Sequence, residues 1–181
     1  PERPGHRILL PGNRLRATTE VEVAYENEYD RGGDGFHHFV DPEDGAEYAY
    51  SNFEPFEAHR LFPCFDQPDL KGIYAVTVRA PGDWTIIANA PAAAVVPVGD
   101  GRREHRFAST PPISSYLVAL IAGPFAGVRS LHRGTPLGIW TRRSLAPFLD
   151  PDEIFQVTKQ GLDFYAALFD HPFPFAKYDQ V

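Results

Sequence analysis

Apolar and polar residues alternate from position 15 to position 25. Leu15, Ala17, Thr19, Val21, Val23 and Tyr25 fall on one side, with Arg16, Thr18, Glu20 and Glu22 on the other. That period of two predicts a half-buried antiparallel strand. Turn signals rich in glycine and aspartate follow at 31–35 and 41–45. Residues 36–40 and 47–53 read as short strands around them. The same reading places strands at 73–79, 85–89, 93–97, 103–107, 116–122, 127–132 and 137–142. Many short strands between Gly and Pro turns predict an all-β fold, an antiparallel β-sandwich.

The pattern changes after Arg143. Asp150 is placed to cap a helix, Pro151 suits its first position, and Asp152 and Glu153 favour its positive end. Ile154, Val157, Gly161, Leu162, Tyr165, Leu168 and Phe169 recur at helical spacing, and Pro172 and Pro174 stop the pattern. One C-terminal amphipathic helix is therefore expected at about 151–169. The expected units are a β-rich domain over 1–143 and the start of a second domain over 144–181. The helix cannot bury its apolar stripe alone, so it must dock on the β-domain or on a further domain.

Composition narrows the reading only in part. The 181 residues are 43% hydrophobic, enough to fold, yet no run approaches the ~20 apolar residues of a membrane span. A formal charge of −7 argues against a nucleic-acid surface. Cys64 is the single cysteine, so an intrachain disulfide and a Cys-rich metal site are excluded, and a small buried hydrophobe is the simplest role. The chain starts at Pro1 and has no methionine, which is expected of a piece of a longer chain.

The chemistry is sparse. Two histidines four apart with a neighbouring glutamate, the metallopeptidase helix pattern, are absent from the sequence. His37 and His38 are adjacent on an expected strand and so point to opposite faces. Nucleophile elbows and phosphate loops are absent too. The segment 50–71 is the exception: it is dense in aromatics, prolines and charges, with neither strand nor helix period. Irregular backbone carrying Glu54, Glu57, Arg60 and Asp66 has two readings. Either it is a functional loop on a scaffold, or Arg60 pairs with a carboxylate and the aromatics fill a core.

That segment, with Phe62-Pro63-Cys64-Phe65-Asp66-Gln67-Pro68, resembles the signature of M1 aminopeptidases. In that family a Thr-Gln-x-Glu/Gln stretch leads into Ala-Arg-Arg/Lys and Phe-Pro-Cys-x-Asp-x-Pro. Three further stretches are similar in family order: Asp83-Trp84-Thr85-Ile86-Ile87-Ala88-Asn89-Ala90, Pro112-Ile113-Ser114-Ser115-Tyr116-Leu117-Val118-Ala119, and His171-Pro172-Phe173-Pro174-Phe175-Ala176-Lys177-Tyr178-Asp179. The resemblance covers nearly the whole chain from about Phe36.

The resemblance implies a saddle-like N-terminal β-domain followed by the first residues of a catalytic domain. It implies a parent that is a zinc-dependent hydrolase removing N-terminal amino acids from peptides. The zinc would lie in the parent, with none bound by this piece, which is expected to be inactive alone. Further strands are expected before the stretch matching Leu15. Glu54 matches the family acid that holds the substrate's free α-ammonium. Asn52, where the family has Gln, is a weaker candidate beside it, and His59 stands where the family has Arg. Expected partners are peptide N-termini, the catalytic domain of the same chain, and a second copy through an uncovered sheet edge, with no nucleic acid or membrane. The expected location is cytoplasmic. The alternative is a non-catalytic M1-like scaffold used for protein–protein contacts.

Overall fold

The structure is a computed structural model and describes residues 7–181. It is mostly antiparallel β-sheet with one α-helix, as the sequence pattern predicts. Strand β1 (Gly35–Val40) pairs with β2 (Glu47–Asn52) in a hairpin running from Gly35↔Asn52 to Val40↔Glu47. The turn between them is closed locally. Asp41 N donates to Ala46 O, and the Asp41 and Asp44 carboxylates accept from the Glu43 and Ala46 amides. Four strands follow: β3 (Thr77–Pro81), β4 (Thr85–Ala88), β5 (Ala92–Gly99) and β6 (Arg102–Phe107). The last are β7 (Leu120–Gly123), β8 (Ala126–His132), β9 (Thr135–Thr141) and, after helix α1 (Pro151–Leu168), β10 (Tyr178–Gln180). The β8–β9 hairpin turns at Arg133 and Gly134, both with positive φ (48° and 88°), the twist that a two-residue hairpin loop requires.

Three sheets result, in the orders β1-β2-β7-β4, β3-β6-β5 and β8-β9-β10. The first two face each other across a core of Ala80, Ile86, Ala88, Phe107 and Ala122, with Trp84 and Leu120 packed against it. This is the sandwich-like part of the fold. The third sheet carries α1. Leu137 and Ile139 of β9 bury Phe155, and Ile154, Leu162 and Tyr178 close around them. That core takes in residues from both sides of the boundary expected at 143–150. Asp150 caps α1 by accepting from Glu153 N, and Pro151 opens the helix. Among the described residues no helix is long and apolar enough to cross a membrane.

Several sequence expectations need correction. Residues 15–25 form no strand: the chain bends at Ala17 and Thr18, and no described segment pairs with it. Leu15, Val21 and Tyr25 stay exposed there. Alternation describes one strand's faces and cannot supply the hydrogen-bonding neighbour that a strand requires. The strand expected at 73–79 begins only at Thr77, because Tyr74 N is taken by the Thr110 hydroxyl and Gly72 by Ile113. The strand expected at 116–122 starts at Leu120. A short 3-10 turn, Ser115–Leu117, precedes it, and the Asn89 amide takes Ala119 N and Leu117 O in place of a ladder. Strand β10 was not foreseen. It adds to β9 in parallel, Tyr178 against Leu137, after a helical crossover.

One buried carboxylate joins distant parts. Asp41, 1% exposed, accepts from Arg142 Nη1 (3.0 Å) and Ser144 Oγ (2.6 Å). The Ser144 hydroxyl first, then the Glu43 amide and the Arg142 guanidinium, outweigh desolvation and hold its carboxyl below the usual range. The β1–β2 turn is thus pinned to the segment leading into α1.

Candidate functional site

Strand β2 ends at Asn52, and the irregular segment begins there. Phe53 turns inward, 2% exposed, into a core of Ala58, Ile113 and Val118, where Phe62, Cys64 and Tyr74 also pack. Glu57 N donates to Phe53 O, and a single 3-10 turn, Ala58–Arg60, follows. Phe53 and Phe62 therefore fill a core, as one of the two sequence readings expects, while Phe56 (55% exposed) and Phe65 (79%) stay at the surface. Asn52 and Glu54 flank Phe53, and both are exposed. The Asn52 amide donates to Gly33 O and Asp34 Oδ1, each at 3.3 Å, so it holds the 31–35 turn. Glu54, whose bond to Pro55 is cis, makes no side-chain hydrogen bond or ion pair among the described residues.

The charged neighbours are committed to one another. Arg60 pairs with Glu57 and, at 3.1 Å, with Asp30 Oδ1. The other oxygen of Asp30 accepts from Phe36 N at 3.0 Å. Gly35 makes this clamp possible: it sits at φ +76°, and a Cβ there would lie 2.1 Å from Asp30 Oδ2. Asn27 adds two bonds from its amide, to Arg60 O (2.9 Å) and Leu61 O (2.7 Å). The loop carrying Glu54 is thereby tied to the chain before β1.

A second tie runs through Asp66. Its Oδ2 accepts from His59 N (3.0 Å) and lies 2.7 Å from His59 Nδ1. Its Oδ1 accepts from Ser115 Oγ at 2.8 Å, and Ser115 is 1% exposed. Burial pushes the Asp66 carboxyl up, but the bonds from His59 and Ser115 and the charge of His59 outweigh it, leaving the group below its ordinary range. Ser114 Oγ donates to Pro68 O alongside. Serine, aspartate and histidine meet here, but the serine bonds the aspartate rather than the histidine. The arrangement is thus a brace and not an activated nucleophile. Asp66 is legible in the sequence as part of a charged loop, but its link to Ser115, 49 positions away, is not. No local spacing signals such a pair. Burial first, then the Asp66 charge, pushes the Cys64 thiol up to about 12, so it stays protonated and inert.

Residues 6–117 match the model of the Peptidase M1 N-terminal domain. The chain belongs to the M1 peptidase family. It is 45% identical over 179 residues to aminopeptidase N of Streptomyces lividans, covering 97% of this chain and 20% of that protein. It is 30% identical over 186 residues to endoplasmic reticulum aminopeptidase 2 of Bos taurus, covering 98% of this chain and 19% of that protein. Against human aminopeptidase N it is 31% identical over 137 residues, 74% of this chain and 14% of that protein. The M1 chain thus spans a fifth or less of the length of these relatives.

The family implies zinc, and the residues present do not fit it. Among the described residues no group of three or more His, Cys, Asp or Glu side chains is placed to hold a metal ion.

Proposed function

We propose that this chain serves as the N-terminal part of a larger aminopeptidase, in which it supplies the β-domain and the anchor for the substrate's free amine. Residues 144–181 then open the catalytic domain, and zinc and its ligands belong to the remainder. The names of the relatives support the reaction class. One observation supports the anchor. Of the acids on the braced segment, Glu57 and Asp66 are held by Arg60, His59 and Ser115, whereas Glu54 and Asp69 are exposed and unpartnered among the described residues, and of these two Glu54 stands beside the end of β2, next to the buried Phe53. An exopeptidase must read a chain end, and a fixed carboxylate attracts an α-ammonium while refusing a blocked terminus. Bracing the loop through Arg60 and Asp66 lowers the ordering cost of that contact. Asn52, whose amide already holds Gly33 and Asp34, contributes by shaping the turn beside Glu54. The partners in this reading are peptide N-termini and the rest of the same chain. Pairing of two copies through an uncovered sheet edge is part of the same proposal.

The test uses the longer enzyme. Glu54→Gln keeps an acceptor and loses the charge, and Glu54→Ala loses both. Both should lower kcat/KM for free-amine peptides, Ala more than Gln, by roughly ten- to a hundred-fold. The melting temperature should hardly change, because an exposed acid has little packing to lose. A destabilised variant with unchanged kinetics would remove Glu54 from the site.

A further inference from the structure

Strand β8 is an edge. It pairs with β9 alone, so the alternate N–H and C=O groups on its other side have no strand partner among the described residues. A groove of about 500 Å³ runs beside it, between Val128, Arg129 and Ser130 and the facing side of α1. Val128 and Ser130 lie opposite Ile139 and Leu137, on the face that α1 covers. Arg129 belongs to the other face, where its guanidinium sits 5.2 Å from the Trp140 ring centroid. Residues from both faces line the groove, so the groove follows the backbone edge of β8. The α1 wall offers Asp152, Phe155, Lys159 and Asp163, residues that share one helical side.

The charges choose the occupant. Neither Arg129 nor Lys159 has a carboxylate partner among the described residues, and their other contacts are the Trp140 and Phe155 rings. Asp163 is already held by His132 (2.6 Å) and Arg133 (2.9 Å). Asp152 marks the opposite end of the groove, about 10 Å along the helix from Lys159. A second copy is a poor fit: two-fold pairing about the middle of β8 would set Arg129 against Arg129. A strand with two consecutive acids fits both cations. Successive side chains point to opposite faces, so one acid reaches Arg129 while the other turns toward Lys159.

We propose that β8 is a docking edge for an extended acidic peptide segment of a partner protein, added as an extra strand in the groove against α1. Backbone bonds to β8 supply affinity, and Arg129 and Lys159 supply the preference for acids. The segment 50–71 takes no part in it.

The experiment uses the whole chain with three seven-residue peptides of alternating Thr and Val. One has two central glutamates, one has two central lysines, and one has a central proline in the acidic sequence. Binding is followed by calorimetry and by backbone amide resonances. The acidic peptide should bind, shift the amides of 126–132, and weaken as salt rises. The lysine peptide should bind at least about tenfold more weakly, and the proline peptide should lose binding, since it breaks the ladder. The double variant Arg129→Glu with Lys159→Glu should reverse the preference. Equal binding of acidic and basic peptides, shifts confined to residues away from β8, or no binding at millimolar peptide would each overturn the proposal. The peptide series on the unaltered chain decides even if the double variant does not fold.

Discussion

Removing the Asp66 carboxylate should loosen the loop that carries Glu54. Asp66→Ala strips the acceptor from three donors: His59 N, the His59 ring and Ser115 Oγ. Ser115 is 1% exposed, so water cannot replace the lost partner without opening the structure. A buried donor left unsatisfied costs about 1–3 kcal/mol, and the His59 amide adds a similar amount, giving about 2–6 kcal/mol in all. For a chain of this size that corresponds to a fall in Tm of roughly 4–24 °C. Asp66→Asn keeps an oxygen for His59 and an amide for Ser115 but loses the charge, so it should cost only about 1–2 kcal/mol. The assay is thermal unfolding followed by circular dichroism, repeated from neutral pH down to about pH 3. The folded pKa of Asp66 lies below its unfolded value, so the carboxylate stabilises fully above about pH 4 and loses this contribution as pH falls through the folded pKa. The gap between the unaltered chain and Asp66→Asn should therefore narrow on acidification. A Tm for Asp66→Ala within 2 °C of the unaltered chain, or a gap that does not change with pH, would refute the brace.

Two further outcomes test the packing. Phe155→Ala should cost about 3–5 kcal/mol, because it empties the contact between α1 and β9. Val157→Ala, at a position 61% exposed on the same helix, should stay within about 0.5 kcal/mol, both read from denaturant midpoints. Equal effects would mean that α1 is not seated on the third sheet as described. With its thiol pushed up to about 12, Cys64 should react with a maleimide at pH 8 on the order of a thousandfold more slowly in the folded chain than in denaturant. Comparable rates would contradict its place in the core.

What the sequence alone determined lies where the cause is local. Asp150 and Pro151 fix the start of α1 through bonds within one turn, and that boundary is found where the residues place it. The β1–β2 hairpin is similar, since the side chains of 41–45 close their own turn. The M1 motifs also stand in the sequence as contiguous runs, and Phe53 and Phe62 of the segment 50–71 fill a core, whereas Phe56 and Phe65 do not. Tertiary structure decided whatever needs a distant partner. Residues 15–25 alternate as well as any strand, but a ladder needs a second backbone, and none among the described residues is there. Three residues, Tyr178–Gln180, too few to show a period, became β10 because β9 offered an edge after the helical crossover. Arg60 was legible as a residue in search of a carboxylate, but Asp30 as its partner was not. Asp66 with Ser115 and Asp41 with Arg142 were likewise illegible as pairs. Charge and burial join residues by distance in space, and a sequence records only distance along the chain.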